Sequence, residues 1–304
     1  MFDIASVGHF AIDSIFLPEK AAPYVILGGS VAYVSLLARR LDARVAVVSK
    51  VGGDFPNAYL WWLGQEGVDL SGVVRVETAQ TTRFDLKYVP DFSGRTLQLR
   101  SKADGITVED LPANLKARVI HVAPIAGEVT LEVVEELKKR AEVLSLDPQG
   151  LVRTFDADGN VTYGFLEPRK ILELTNVYKS SAAEIQAATG LSDVASAVKA
   201  VHDYGAEIVI VTLGMKGAML SVDGANYDVP AFPPERLVDP TGAGDAFMGG
   251  MLAEYVKGED LLWCACAGSA AASLVVEAVG PTFSGGKEDI YRRGRLLYEK
   301  GIKE

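Results

Sequence analysis

Asp239-Pro240-Thr241-Gly242-Ala243-Gly244-Asp245-Ala246-Phe247-Met248-Gly249-Gly250-Met251 is the stretch on which the reading of this chain turns. Pro240 ends whatever precedes it, and Gly242-Ala243-Gly244 lets bare backbone approach a ligand before an apolar helix begins. The unpaired N–H groups of that helix start, aided by the macrodipole, would form an anion hole for the oxygens of a migrating phosphate. Asp245 falls in the first helical turn. An acid there is by itself a common, stabilising helix-end placement. That reading leaves unexplained the Gly-Ala-Gly run before it and the small-residue face of Ala246, Gly249, Gly250 and Ala253, which allows close packing on a sheet. Phosphoryl transfer needs donors for the moving charge and a carboxylate to orient or take the proton of the attacking hydroxyl. Gly242, Ala243, Gly244 and Asp245 are therefore the candidate catalytic set.

Outward from this segment, short β-branched runs alternate with longer amphipathic ones. Phe2–Gly8, Arg44–Ser49, Arg118–Ala123, Val143–Asp147, Val177–Ser180 and Glu207–Leu213 read as strands. Ser30–Leu41, Pro56–Glu66, Val129–Ala141, Val194–Tyr204 and Ala246–Val256 read as helices. The rhythm predicts an α/β fold in which a mostly parallel sheet is covered on both faces, with ligands outside the carboxyl ends of the strands. Residues 73–102 break it: Val73–Val76, Thr81–Tyr88 and Thr96–Leu99 read as half-polar antiparallel strands, with a turn at Asp91-Phe92-Ser93-Gly94. With Ala11–Leu17 they are expected to form a small β-sheet lid, from about residues 10–18 and 73–102, on a single domain spanning 1–304. An edge hairpin of the core is the alternative.

The 304 residues are 49% apolar, enough for a large core that needs neither disulfides nor metal. A formal charge of −10 leaves no basic surface for nucleic acid or an anionic membrane, so any anionic ligand must be held locally. There is no run of eighteen apolar residues, and Met1-Phe2-Asp3-Ile4 opens on a strand-like segment without a basic or long apolar leader. The expectation is a cytoplasmic protein. Cys264 and Cys266 read as small buried hydrophobes of one helix, and His9, His121 and His202 show no metal-ligand spacing. Neither a Walker-A loop nor a G-x-G-x-x-G fingerprint is present, against P-loop and dinucleotide-binding readings.

The 239–251 segment resembles the C-terminal signature of the ribokinase-like (PfkB) family of carbohydrate and nucleoside kinases, and other landmarks follow in family order over essentially the whole chain. The resemblance implies a three-layer α/β/α sandwich with a lid, Asp245 as catalytic base, and ATP and Mg²⁺ as phosphate donor and metal. It leaves a monovalent cation open, and equally a monomer or a lid-mediated homodimer. Asp13 resembles the family position that grips substrate hydroxyls, and Leu27-Gly28-Gly29-Ser30 the first signature, whose glycines admit substrate against backbone. Tyr33 stands where most members carry Asn, which suggests a different alcohol. Val51-Gly52-Gly53-Asp54 also fits. Lys179-Ser180-Ser181-Ala182-Ala183-Glu184 is similar to a Lys-x-Asn-x-x-Glu segment, which implies that Lys179 reaches nucleotide phosphates and Glu184 orients waters around Mg²⁺; Ser181 replaces the Asn. By the same resemblance Thr212, Gly214 and Gly217 flank the nucleotide, and Ala271, in the small-residue run Ala267–Ala272, lies against its adenine.

Asp147-Pro148-Gln149-Gly150-Leu151-Val152-Arg153 follows a strand, and Gln149 and Arg153 offer several hydrogen bonds to a polyhydroxylated ring. The pattern resembles that of inositol kinases in this family, so myo-inositol is the expected substrate, bound by Asp13, Gly28, Gly29, Gln149 and Arg153. A nucleoside would want an aromatic platform, for which Phe10, Phe84 and Tyr88 are candidates. A sugar phosphate would want a basic cluster, which Arg83, Lys87, Arg95 and Arg100 could supply. A catalytically silent sugar or nucleotide sensor is the reading from another class, and the intact Gly-Ala-Gly-Asp argues against it.

Overall fold

The computed structural model describes residues 1–300 apart from residues 19 and 93. Of the expected features, Ser93 of the 91–94 turn and the last four residues of the 1–304 domain lie outside the described residues.

Nine strands make one sheet: β1 (Phe2–Val7), β4 (Val45–Gly52), β5 (Asp69–Val76), β8 (Ala117–Val122), β9 (Ala141–Leu146), β12 (Val177–Ser181), β13 (Ile208–Thr212), β14 (Ala218–Val222) and β15 (Ala225–Val229). Their spatial order is β15-β14-β13-β12-β9-β8-β1-β4-β5, parallel except for the antiparallel edge formed by β14 and β15. The central strands read as near-continuous apolar runs because both their faces are covered. One face carries α1 (Ser30–Arg40), α8 (Ala243–Tyr255) and α9 (Leu261–Val275), with α10 (Lys287–Glu299) packed outside α9. The other carries α3 (Leu131–Lys138), α6 (Ala182–Thr189) and α7 (Val194–Asp203). The helices α2 (Asn57–Gln65), α4 (Gln149–Val152) and α5 (Lys170–Glu173) complete the set used below.

A second sheet of four strands, in the order β3-β2-β6-β7, lies over the carboxyl ends of the large one. It consists of β2 (Ala11–Phe16), β3 (Tyr24–Gly28), β6 (Thr82–Tyr88) and β7 (Arg95–Ser101). Thr82, Phe84 and Leu86 are buried while Arg83, Asp85 and Lys87 point outward, the period-two signature of a sheet with one wet face. Its inner face packs Ile15, Phe84, Leu86, Leu97 and Leu99 on Ile125, Ala126 and Phe155. A two-stranded hairpin, β10 (Arg153–Phe155) and β11 (Val161–Tyr163), closes the side: Leu99 N–H donates to Gly159 O at 2.8 Å, and the Phe84 and Phe155 rings lie 6.5 Å apart.

Three sequence expectations need correction. Val73–Val76 is not a lid strand but the end of β5, pairing in parallel with residues 49–52 of β4. An edge strand of the large sheet is half wet, so it shows the same alternation as a lid strand. Conversely Tyr24–Gly28, unrecognised in the sequence, is lid strand β3, held by antiparallel pairing to β2. The helix expected to reach Ala141 stops at Lys138, because Ala141 already pairs with Ala117 as the start of β9.

Candidate active site

Helix α8 begins at Ala243, with Gly242 as its cap at φ +77°. A side chain at Gly242 would run into the Tyr33 ring within 2.5 Å, so both the left-handed backbone and the space require glycine. Ala243 N–H turns back to Pro240 O at 3.3 Å, whereas the N–H groups of Gly242, Gly244 and Asp245 make no hydrogen bond among the described residues. Three free amides thus converge at one helix entrance, beside the first-turn carboxylate of Asp245.

Beneath them runs a buried charge pair. Alternation along β12 turns Lys179 to the same face as Val177, toward α8. Its ammonium lies 2.6 Å from Asp147 Oδ2 and 2.8 Å from where a Gly244 side chain would begin. Burial alone would lower the Lys179 pKa, but Asp147, then Asp245 and Glu184, more than offset it and hold the ammonium charged. Asp147 accepts a second hydrogen bond from Gln149 N–H at 3.2 Å, which fixes the start of α4. Lys179, expected at the nucleotide phosphates, is instead locked under the α8 entrance by its neighbours.

Gln149 and Arg153 stand one turn apart and meet Asp245 in the cleft. Arg153 Nη2 donates to Gln149 Oε1 at 2.6 Å, and a guanidinium can only donate, so the amide nitrogen of Gln149 faces the other way. It lies 2.6 Å from Ser30 Oγ and 3.4 Å from Asp245 Oδ1. Arg153 Nη1 donates to Ile125 O at 3.0 Å, and its Nε is buried without a partner among the described residues. Burial raises the pKa of Asp245, while Lys179, Ser30 and Arg153 pull it back. The outcome is a carboxylate poised to gain a proton.

Asp13 enters from β2, 6% exposed, with its carboxylate in the space that a side chain on Gly28 would fill. Gly28 therefore makes room for Asp13 itself, while Gly29, at φ +91° and tight against His9 O, lines the cleft and caps α1. Burial pushes the Asp13 pKa up to about 7, with Arg95 lowering it and Asp239 raising it. Tyr33 is buried and its hydroxyl has no partner among the described residues. Asp13, Gly29, Ser30, Tyr33, Gln149, Arg153 and Asp245 thus line one cleft of about 50 Å³ between lid and sheet.

The remaining expected residues lie elsewhere. Thr212 ends β13 beside β12, and Gly214 and Gly217 shape the following turn at φ +61° and +101°. Glu184 is mostly used in capping α6: its Oε2 accepts from Ser181 N at 2.8 Å and Ser181 Oγ at 2.7 Å. Ala271 is fully buried where α9 meets Gly250 of α8, and so presents no surface to an adenine. Its small side chain serves helix packing, which a run of small residues in sequence cannot distinguish from a ligand surface. Among the described residues no three His, Cys, Asp or Glu side chains form a metal cage. The long-range bonds of Asp147 to Lys179, Ser30 to Gln149 and Tyr88 to Thr241 could not be read from the sequence, since the partners stand tens of residues apart.

A family model for pfkB family carbohydrate kinases matches residues 1–287. The chain is 31% identical over 283 residues to a cytidine kinase of Thermococcus kodakarensis, covering 92% of this chain and 98% of that one. It is 32% identical over 286 residues to an inositol 3-kinase of Oryza sativa subsp. japonica, covering 91% and 68%. A pyrophosphate-dependent kinase in the ribokinase family, solved with a pyrophosphate analogue and myo-inositol, superposes with a TM-score of 0.81 at 24% identity, over 95% of this chain and 99% of that one. The chain belongs to the PfkB family and has the ribokinase-like fold. It is a phosphotransferase that acts on a sugar or nucleoside hydroxyl. Among the described residues no helix is long and apolar enough to cross a membrane.

Proposed function

We propose that this kinase transfers the terminal phosphate of ATP to a hydroxyl of a cyclitol, with myo-inositol as the favoured acceptor. The observation that carries the choice is the state of the groups each alternative would need. Phe10 is fully buried and stacked on Phe55 at 5.8 Å. Phe84 is buried under the Arg153 guanidinium, and Tyr88 is covered by Phe92 and Arg95, so none of the three expected aromatic faces is free for a base. Of the basic set for a sugar phosphate only Arg95 lines the cleft: Arg83 pairs with Asp54, Arg100 with Asp85, and Lys87 lies over Phe16. Hydrogen-bonding groups from Asp13, Tyr33, Gln149, Arg153 and Asp245 line the cleft, and such a polar lining suits a ring bearing hydroxyls all round.

In this mechanism Asp13 and Arg153 hold the ring hydroxyls, and Gln149 keeps Asp245 turned toward the attacking one. Asp245 takes the proton of that hydroxyl as its oxygen bonds to phosphorus and the bond to the leaving phosphate breaks. The free amides of Gly242, Gly244 and Asp245 receive the charge on the migrating phosphate, and Lys179 beneath them keeps the region positive. Mg²⁺, when bound, neutralises charge on the donor's phosphates. Thr212, Gly214 and Gly217 flank the donor.

The likeness to a cytidine kinase favours a second reading, a nucleoside acceptor. A coupled assay with ATP over myo-inositol, cytidine, adenosine, ribose and fructose 6-phosphate separates them. Turnover of myo-inositol is expected, and turnover of nucleosides alone overturns the cyclitol reading. Exchanging ATP for pyrophosphate in the same assay identifies the donor.

A further inference from the structure

A directed chain of hydrogen bonds joins the tip of the lid to the loop that starts α8. Arg95 and Tyr88 face each other across β6 and β7. Arg95 Nη1 lies 2.7 Å from Tyr88 Oη, and Tyr88 Oη lies 2.8 Å from Thr241 Oγ1, a contact between residues 153 apart in sequence. Thr241 Oγ1 lies 2.6 Å from Asp239 Oδ1.

The ends of this chain fix its polarity. A guanidinium only donates, and an ionised carboxylate only accepts. Thr241 must therefore give its proton to Asp239, Tyr88 must give its proton to Thr241, and Arg95 donates to Tyr88. No rotation of either hydroxyl satisfies all three contacts in the reverse sense. Asp239 also binds Thr241 N–H at 2.9 Å, and its Oδ2 accepts from Gly280 N–H at 3.0 Å. Gly280 in turn lies beneath Ile26 of β3, where any side chain would collide. Two lid strands thus grip the two loops that Asp239 ties together, and Thr241 is the residue immediately before the free amide of Gly242.

We propose that Tyr88 and Thr241 form a latch that couples lid closure to the alignment of the phosphate-binding amides, with Arg95 setting the direction in which Tyr88 donates. Both are positioning residues: they touch neither the reacting hydroxyl nor the phosphorus, and act through Gly242–Asp245. The latch rests on the family's transfer chemistry and is independent of which alcohol is used. It makes the shielded, water-free site and the aligned anion hole one event. This suits a reaction in which water competes with the acceptor.

Two measurements test it. In the ligand-free protein, hydrogen exchange should quicken in Tyr88→Phe both in the lid (residues 82–101) and at the amides of residues 240–245. Acceleration confined to the lid would overturn the coupling. In kinetics with ATP and whichever of myo-inositol or cytidine is turned over, Tyr88→Phe should raise the acceptor KM and lower kcat, so that kcat/KM falls about tenfold, the worth of one hydrogen bond. The ratio of acceptor-free nucleotide hydrolysis to transfer should rise with it. Thr241→Val should reproduce these changes, and Thr241→Ser, which keeps the hydroxyl, should restore wild-type values. Unchanged kcat/KM and hydrolysis ratio in Tyr88→Phe, or failure of Thr241→Ser to restore them where Thr241→Val loses them, would refute the latch. If neither alcohol is turned over, the cyclitol and nucleoside readings fail, and the exchange experiment still decides the latch.

Discussion

The α8 entrance and the lid face each other across one cleft, and they are built in opposite ways. At the entrance, amides, cap glycine and carboxylate come from four consecutive residues, 242–245, set on a helix whose Gly249 packs against Val34 and Leu37 of α1 and whose Gly250 packs against Ala267 and Ala271 of α9, so that the small-residue face expected to meet the sheet meets neighbouring helices instead. Geometry there follows from local backbone, and a buried ion pair supports it from below. The lid takes strands from residues 11–28 and 82–101, is wet on its outer face, and reaches the entrance through single side-chain bonds such as that of Tyr88. The difference teaches that the reacting groups are held by backbone that cannot relax, while access to them is governed by contacts that can be made and broken at modest cost. Each expected outcome below strains one side of that contrast.

The largest effect belongs to Asp245. Asp245→Asn keeps size and the Gln149 contact but cannot take a proton, so kcat should fall by about 10²–10⁴-fold, with acceptor binding by calorimetry retained. Near-normal turnover would mean that the carboxylate only caps the helix. Next is the pair beneath it. Lys179→Met strands the fully buried Asp147, and denaturant unfolding should show a loss of about 3–5 kcal/mol. Adding Asp147→Asn should recover part of that loss, since no buried charge is then unpaired.

Asp13 sharpens the lid side. Its carboxyl accepts most strongly from a substrate hydroxyl when ionised, and burial pushes its pKa up to about 7. The acceptor kcat/KM should therefore fall as pH drops below that value, and Asp13→Asn should remove the part of this acid limb due to Asp13, leaving that of Asp245, along with most of the activity. Stability carries the opposite sign from an ion-paired acid. The folded state keeps this proton to higher pH than the unfolded chain, whose reference value is 3.8. Its contribution is thus present below about pH 4 and is lost as pH rises toward 7, a slope that Asp13→Asn removes.

Tyr33→Phe should separate function from folding. The variant deletes a buried hydroxyl that has no partner, so the melting temperature should hold or rise, while the acceptor KM rises by about tenfold if that hydroxyl serves the substrate. An unchanged KM would remove Tyr33 from the substrate's surroundings. The smallest effect is expected on the outer lid face. Arg100→Gln breaks an exposed pair with Asp85 and should shift stability by less than about 1 kcal/mol without touching kinetics.

Legibility in the sequence followed the same divide. Gly242–Asp245, Gln149 and Arg153 could be read because spacing along a loop or helix start implies their proximity. Strands β1, β4, β8, β9, β12 and β13 could be read because burial on two faces leaves unbroken apolar runs. The lid blurred where alternation is ambiguous, so the end of β5 was assigned to it and β3 was passed over. Lys179 and Glu184 were recognised as polar landmarks, yet their actual bonds go to Asp147 and Ser181. Ala271 was placed on a ligand surface although helix packing covers it.

By itself, the sequence determined the layered α/β plan, the kinase family and the groups that converge at the start of α8, since hydrophobic period, glycine and a nearby acid act over a few residues. Tertiary structure alone decided which polar atoms remain free. The occupied faces of Phe10 and Phe84, the ion pairs that hold Arg83 and Arg100, the orphan hydroxyl of Tyr33 and the bond from Tyr88 to Thr241 all depend on partners far apart in the chain. A side chain's chemistry is written in its identity, but whether it is available to a ligand depends on what the fold has already placed against it.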